Sequence, residues 1–322
     1  MKVSVALATY NGAKYLNEQL ESISKQSHKP DELIVSDDCS EDETRNIVLD
    51  FVKTAPFKVQ LFVNNKNKGY RENFLSTLQK VTGDIVFFSD QDDVWFEDKI
   101  EKHLSIYKND KKALVVISNQ EIVGPDLEKS GRTTLEEFIR RRGDSQNFVH
   151  GCCTSFHSSI LNMARRPGVN FAHDDWVHAV AESCNGRRVL PSTLQLFRRH
   201  ESTTTKSDFN SFEMKAKRGR KIGASEVAKA LRRRERDSAV ISASLKSSKE
   251  LPVSVRDLGV QRCDNDALIY GKRAARLENP NIISLVGVLL SVLKGELSFK
   301  QGGADVMRII NQLIAYNNGQ SV

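Results

Sequence analysis

Three acidic clusters stand out: Asp37-Asp38, Asp90-Gln91-Asp92-Asp93 and His173-Asp174-Asp175-Trp176. Three carboxylates within four residues repel one another, and a turn needs only one of them. A divalent cation removes that repulsion. Carboxylate oxygens are hard ligands that suit Mg²⁺ or Mn²⁺. Such an ion takes one or two protein carboxylates and leaves positions for phosphate oxygens. An Asp-x-Asp site beside a nucleotide crevice therefore suggests a cation clamping a diphosphate. The plainer alternative is that these acids start turns and helices. For Asp37 and Asp38 taken alone it is at least as good. Asp174 and Asp175 would also serve simply to open a helix, where negative charge suits the macrodipole.

The elements around these residues give the clusters a common address. Val3–Ala8, Glu32–Ser36, Val59–Val63, Ile85–Phe88 and Leu114–Ile117 are apolar and strand-like. Between them, Ala13–Gln26, the segment with Ile47, Val48 and Phe51, the segment with Phe74, Leu75, Leu78 and Val81, and Asp98–Tyr107 have helical spacing. Ser40 and Glu43 have the spacing of a capping box for the second helix. Strand–helix alternation predicts a mostly parallel sheet covered by helices on both faces. In such a sheet the C-terminal strand ends share one edge, where ligands bind. Thr9-Tyr10-Asn11-Gly12, Asp37-Asp38 and Asp90-Gln91-Asp92-Asp93 each follow a strand, so they converge on one crevice. Residues 119–200 read as short strands and helices around Phe148–Phe156, Asp174–Cys184 and Thr193–Arg198.

Other chemistries lack their motifs. There is no GxxxxGK[ST], no GxGxxG after the first strand, no HExxH and no GxSxG. Five cysteines, Cys39, Cys152, Cys153, Cys184 and Cys263, form no CxxC pair. Neither a zinc ribbon nor a disulfide framework is indicated, and Cys152 and Cys153 read as small buried residues. The chain has 322 residues and a net charge of +7. Residues 1–200 carry 27 Lys and Arg against 28 Asp and Glu, and residues 201–322 carry 21 against 13. The basic character belongs to the last third, so the working part is not built around nucleic acid. The start of the chain has no apolar signal segment, and a cytoplasmic setting is the expectation.

ATYNGAKYLNEQLESISKQS, ELIVSDDCSEDET, NKNKGYRENF and GDIVFFSDQDDVWFEDKI, collinear and correctly spaced, closely resemble the family 2 glycosyltransferases. Within them the chain looks most like bacterial rhamnosyltransferases of surface-polysaccharide synthesis. The resemblance covers about residues 1–205. It implies the α/β GT-A fold, the nucleotide-diphospho-sugar transferase fold, with a mostly parallel sheet flanked by helices. Residues 1–118 would form the nucleotide-sugar half, 119–205 the acceptor half, and 206–322 a basic, mainly helical extension.

The resemblance also implies roles. Thr9 and Tyr10, with Asn11 beside them, match residues that cradle the nucleotide base, and Asp38 matches the acid that hydrogen-bonds it. Asn73 falls in a segment that often lines the donor site. Asp90 to Asp93 match the DxD region, with Asp92 near ribose and diphosphate and Asp93 the leading metal ligand. His200, in Phe197-Arg198-Arg199-His200, matches a histidine near the metal or diphosphate; apart from the family it reads equally as basic surface. Asp174 matches the catalytic base, with Asp175 as the alternative because it stands where an aromatic is usual.

The implied activity is inverting transfer of a sugar from a nucleoside-diphosphate donor to a saccharide or lipid-linked saccharide, with Mn²⁺ or Mg²⁺. The alternative is a non-catalytic nucleotide-sugar-binding protein on the same scaffold. Residues 215–236 hold ten Lys or Arg, and Ile282–Leu293 is apolar except for Ser284, Gly287 and Ser291. Twelve residues are too few to span a bilayer, which takes about 20. Together the two stretches suggest contact with an anionic membrane surface at the inner face of the cell membrane. A solvated helical face explains the basic run equally well.

Overall fold

The apolar runs become strands of one nine-stranded sheet, with Val59–Val63 at its edge and the other four inside. The computed structural model describes residues 1–145, 148–168, 171–201 and 224–317, without the side chains of 282–283, 299–300 and 313–317. The strands are β1 (Val3–Thr9), β2 (Glu32–Asp37), β3 (Lys58–Val63), β4 (Ile85–Ser89), β5 (Val94–Trp95), β6 (Val115–Val123), β7 (Lys129–Thr133), β8 (Thr154–His157) and β9 (Arg187–Arg198). Their order is β3-β2-β1-β4-β8-β6-β9-β5, with β7 beside β6. β3, β2, β1 and β4 are parallel, as the alternation predicts. Beyond β4 the sheet is mixed: β8 lies antiparallel to both β4 and β6, whereas β6 and β9 are parallel.

Helices α1 (Ala13–Ser24), α2 (Thr44–Thr54), α3 (Tyr70–Leu78), α4 (Lys99–Asn109), α5 (Thr134–Arg142), α6 (Leu161–Ala164) and α7 (His173–Ser183) flank these strands. Val3, Val5 and Leu7 of β1 pack with Leu16, Leu20 and Ile23 of α1 in the main core. Each such side chain fully buried contributes roughly 1.5–3 kcal/mol. Ser40 does not cap α2. The N-cap is Glu43, with no side-chain cap bond. Asp37 and Asn11 draw Ser40 away, since its hydroxyl donates to the Asp37 carboxylate and accepts from Asn11 N.

The register explains the crevice. Thr9 stands opposite Asp37, and Leu7 opposite Ser89. β1 and β4 flank the point where the strand order reverses, which is where an open parallel sheet binds ligands.

Among the described residues four further helices follow: α8 (Ala224–Ser247), α9 (Val253–Glu278), α10 (Ile282–Leu293) and α11 (Phe299–Asn317). The chain divides into two units, Met1–Thr203 with Ser244–Gly259, and Thr204–Ala243 with Val260–Val322. In the second unit Ala228, Leu231, Ala274, Leu277, Val288 and Ile309 form a core. A buried Arg273–Asp305 pair at 2.7 Å lies within that unit. The described part of the basic run is laced with ion pairs, Arg232 to Glu235 and Glu278 and Arg233 to Asp237. Residues 215–223 of that run lie outside the described residues.

At the edge of the sheet away from the crevice, Glu32 clamps β1 and β2 to the turn before β4. Its Oε1 accepts from Ser4 Oγ (2.5 Å), Thr82 N (2.6 Å) and Thr82 Oγ1 (2.9 Å). Burial alone would raise its pKa, but these bonds and Lys2 leave it below the ordinary value of 4.5. The folded chain thus holds this proton less tightly than the unfolded chain. The stabilisation is full above pH 4.5 and fades as pH falls through the lowered folded value. Glu32→Gln should lower stability at pH 7 by about 1–3 kcal/mol in urea unfolding. It should also lose less on acidification than the wild type, and a parallel acid profile would count against the clamp.

Candidate active site

The crevice begins with loops tied down by side chains. Thr9 O accepts from Asp38 N at 2.9 Å and from Asn73 Nδ2 at 3.1 Å. Asn73 Nδ2 also donates to Ser36 O at 2.9 Å, while its Oδ1 accepts from Asn64 Nδ2 at 2.9 Å. Asp38 is buried and accepts from Asn64 Nδ2 (2.8 Å), Lys68 N (2.9 Å) and Gly69 N (2.8 Å). Asp38 and Asn73 therefore hold residues 64–69 against the ends of β1 and β2. Asp37 is also buried, held by Arg45 Nε at 3.0 Å and Thr9 Oγ1 at 3.1 Å. Tyr10 is left 47% exposed at this end of the crevice. Asn11 has φ +46, and its Oδ1 accepts from Glu41 N at 2.8 Å. Asparagine tolerates that left-handed backbone better than most residues.

The carboxylates of the acidic loop face different partners. Asp92 Oδ2 lies 2.8 Å from His200 Nε2. The His200 ring sits 4.8 Å from the Tyr15 ring, and the Arg198 guanidinium lies 4.5 Å from that same ring. Asp93 is fully buried; its Oδ2 accepts from Gln195 Nε2 at 2.9 Å and its Oδ1 from Arg198 N at 3.3 Å. Desolvation, then the charge of Asp92, pushes the Asp93 pKa up to about 7. Although part of Asp90 meets solvent, desolvation and the charges of Asp93, Asp92 and Asp174 hold it well above the usual carboxylate range.

A polar network lies behind this loop. Gln195 Nε2 also donates to Gln120 Oε1 at 2.8 Å, and Cys153 Sγ donates to the same oxygen at 2.8 Å. Lys99, without exposed surface, donates to Cys152 O at 2.7 Å and to Gln195 Oε1. Its ammonium lies 3.8 Å from the centre of the Trp95 ring. Burial brings its pKa down to about 8, against the opposing pull of Cys153, Cys152, Asp93 and Asp90. Cys152 and Cys153 are buried, as expected, but they also join this network.

Asp174 lies in the first turn of α7. Its Oδ2 packs so close to Gly151 that a β-carbon there would lie 3.2 Å away. Its charge reaches Asp90, His150 and His178. Burial brings His150 down to about 4 and His178 down to about 3, so both rings are neutral near pH 7. His173 stacks on Phe74 at 4.2 Å, while Asp175 is exposed.

The structure thus gathers Asp90, Asp92, Asp93 and His200 at one end of β4 and β9, with the charge of Asp174 bearing on Asp90. Thr9, Asp38 and Asn73 brace the neighbouring loop that exposes Tyr10. The sequence carries no signal for Lys99 or Gln120, and it marks Arg198 only as part of Phe197-Arg198-Arg199-His200. Gln195 left one trace, a polar residue between Leu194 and Leu196. The donors converge in two sets. Asp92 and His200 are part-buried. The ligand atoms of Asp90, Asp93 and Cys152 lie within 4.8 Å of one another. A carboxylate with an imidazole fits Mn²⁺ or Mg²⁺ better than a set containing a thiol.

Similarity to known proteins is consistent with this architecture. The chain resembles TarS 1-349 of S. aureus in complex with UDP-GlcNAc, with a TM-score of 0.56 at 16% identity, covering 99% of this chain and 93% of that one. It also resembles the mannosyltransferase PcManGT from Pyrobaculum calidifontis in complex with GDP-Man and Mn²⁺, at TM-score 0.50 and 16% identity, covering 98% and 86%. These likenesses define the fold as GT-A. In sequence, the chain is 28% identical over 227 residues to the dTDP-rhamnosyl transferase RfbG of Shigella flexneri, covering 66% of this chain and 77% of that protein. Two other matches span only 33% and 60% of the relatives' lengths. The profile of glycosyl transferase family 2 matches residues 4–164, half of the sequence. The chain belongs to glycosyl transferase family 2.

Proposed function

We propose that this protein is an inverting glycosyltransferase that moves a sugar from a nucleoside-diphosphate donor to a hydroxyl of a saccharide or lipid-linked saccharide in surface-polysaccharide synthesis. The observation that carries it is the meeting of the acidic loop, the braced Tyr10 loop and Asp174 along one edge of the sheet. RfbG, as a dTDP-rhamnosyl transferase, makes rhamnose the first sugar to test. TarS with UDP-GlcNAc and PcManGT with GDP-Man support an activated-sugar donor.

The donor half would be residues 1–118 and the acceptor half 119–205. Tyr10 would lie along the nucleotide base, within a loop fixed by Thr9, Asn11, Asp38 and Asn73. Asp92 and His200 would hold Mn²⁺ or Mg²⁺, with Asp93 behind them keeping the loop in place through Gln195 and the Arg198 backbone. When bound, the ion supplies Lewis-acid stabilisation of charge on the leaving diphosphate. Asp174 would take the proton from the acceptor hydroxyl as that oxygen attacks the anomeric carbon. With base and leaving group on opposite faces of the sugar, a single displacement inverts the anomeric centre. Asp90, which feels the charges of both Asp93 and Asp174, would lie beside the bound sugar or diphosphate.

A membrane role is proposed separately for the second unit. Among the described residues no helix is long and apolar enough to cross a membrane. On α10, Val286, Leu289, Leu290 and Leu293 are exposed at helical spacing, with Lys294 following. We assign this face to an anionic lipid surface, reached from the inner side of the cell membrane.

Asp174→Asn should lower kcat by roughly 10²–10⁴-fold while leaving donor affinity near that of the wild type. Near-normal turnover would exclude Asp174 as base. Donor binding by the wild type without transfer to any acceptor would return the reading to a non-catalytic binding protein. A thermal-shift screen of UDP-, GDP- and dTDP-sugars should show a rise in Tm that needs Mn²⁺ and is lost in Asp92→Ala. A rise independent of Mn²⁺ would remove the metal from the account. In sedimentation with phosphatidylglycerol vesicles, the full chain should pellet and the Leu289→Glu/Leu293→Glu variant should remain in the supernatant; equal recovery of both would dismiss the lipid surface.

A further inference from the structure

The residue between the acidic positions is also engaged. Tyr10 N donates to Gln91 Oε1 at 2.8 Å, and Gln91 Nε2 donates to Tyr10 O at 3.0 Å. One carboxamide thus takes both polar groups of a single backbone residue 81 positions away. Among the described residues the Gln91 side chain makes no other hydrogen bond.

Gly12 makes room for it. A β-carbon on Gly12 would lie 2.2 Å from Gln91 Oε1 and 2.4 Å from Cδ. The backbone of Gly12 does not require glycine, because its φ is −102. Space for the carboxamide is therefore the reason for a glycine at this position. On its other side the same loop is bound to residues 40–44: Asn11 N to Ser40 Oγ, Gly12 N to Thr44 Oγ1 and Ala13 N to Asp42 Oδ2, at 2.9, 2.8 and 3.0 Å. Gln91 links this loop to the acidic loop.

Resting on the functional reading above, we propose that Gln91 is a positioning residue that locks the nucleotide-base loop to the diphosphate-binding loop. Tyr10 is set by its backbone, and Asp90 and Asp92 flank the residue that holds it. The lock fixes the spacing between the group that meets the base and the groups that meet the phosphates. A donor that spans both loops then binds without first having to order them. Losing the lock weakens the whole nucleotide diphosphate and leaves the bond-breaking step largely intact.

A double-mutant cycle on the full chain tests this, with UDP, GDP and dTDP in the presence of Mn²⁺ as calorimetric probes. Gln91→Ala should weaken binding of the preferred nucleotide about tenfold, the scale of two ordinary hydrogen bonds. Donor KM should rise with it, and kcat should stay within about threefold, since the lost term is uniform binding. Gly12→Ala should do the same by expelling the carboxamide. The Gly12→Ala/Gln91→Ala double variant should be no weaker than either single variant, because both remove one interaction. Hydrogen exchange at the Tyr10 amide should accelerate in each variant while the β1 amides stay protected, which separates a lost lock from a lost fold. Additive losses, wild-type affinity in Gln91→Ala, or a fall in kcat alone would overturn the proposal. If the wild type binds none of the three nucleotides, the functional reading fails first and the lock falls with it.

Discussion

Negative charge kept from water is the constraint on which this site depends. Asp90, Asp92 and Asp93 sit in one short loop; the charges of Asp93 and Asp92 raise the cost of ionising Asp90, and that of Asp92 raises it for Asp93. An unpaired buried ion costs several kcal/mol even after relaxation. The fold answers with a cation of its own. Lys99 is enclosed between the Trp95 ring, Cys152 O and the Gln195 side chain. Its charge favours ionised Asp93 without touching it, because Gln195 bridges the two. The carboxamide accepts from the ammonium at one end and donates to the carboxylate at the other. A direct Lys–Asp contact would satisfy both charges and leave the loop with less attraction for anything else. The bridged arrangement steadies Asp93 while the loop stays acidic.

Sheet topology decides which residues take part. β5 runs antiparallel to β9, placing Trp95 opposite Gln195 and Val94 opposite Leu196. The two-residue strand β5 begins directly after Asp93, so its pairing brings the acidic loop onto β9. Three residues beyond Gln195, Arg198 extends the same strand to Asp92 O, Glu18 and the ring of Tyr15. His200 follows two residues later, against Asp92. One strand therefore supplies the internal support and the outer partner of the acidic loop. On the other flank, parallel pairing of β1 with β2 and β4 brings the Tyr10 loop alongside.

Much of this was legible because it obeys local rules. β1, β2 and β4 are continuous apolar runs, and burial on both faces leaves such runs no alternative. The acids that follow them mark the strand ends in any parallel sheet. What could not be read depends on partners distant in sequence. β7 is Lys-Ser-Gly-Arg-Thr, mostly exposed and without alternation; pairing with β6 alone makes it a strand. Lys99 reads as an ordinary solvated helix residue, since its partners Cys152 and Gln195 lie 53 and 96 positions away. The capping box at Ser40 satisfied the sequence rule and failed because Asp37 and Asn11 offered that hydroxyl better partners. Asp38 and Asn73 were expected beside the crevice, but their bracing of residues 64–69 was not legible.

Helix periodicity bears on the choice between the two adjacent acids, Asp174 and Asp175. In α7 the residues His173, Trp176, Val177 and Val180 are buried, at the spacing of one helical face. Trp176 is pinned further by its indole N–H, which donates to Met163 O at 2.9 Å. His173 is fixed by the rings of Phe74 and Phe88. With those neighbours held, rotation about the helix axis is not free. Asp174 falls at the margin of the buried face, half-covered against Gly151, and Asp175 falls a further 100° round into solvent. A base must lie inside the crevice yet remain able to meet an incoming hydroxyl. The packing of His173 and Trp176 holds Asp174 at that margin, where the proposed base would have to stand, and replacing either large side chain would shift Asp174 without touching it.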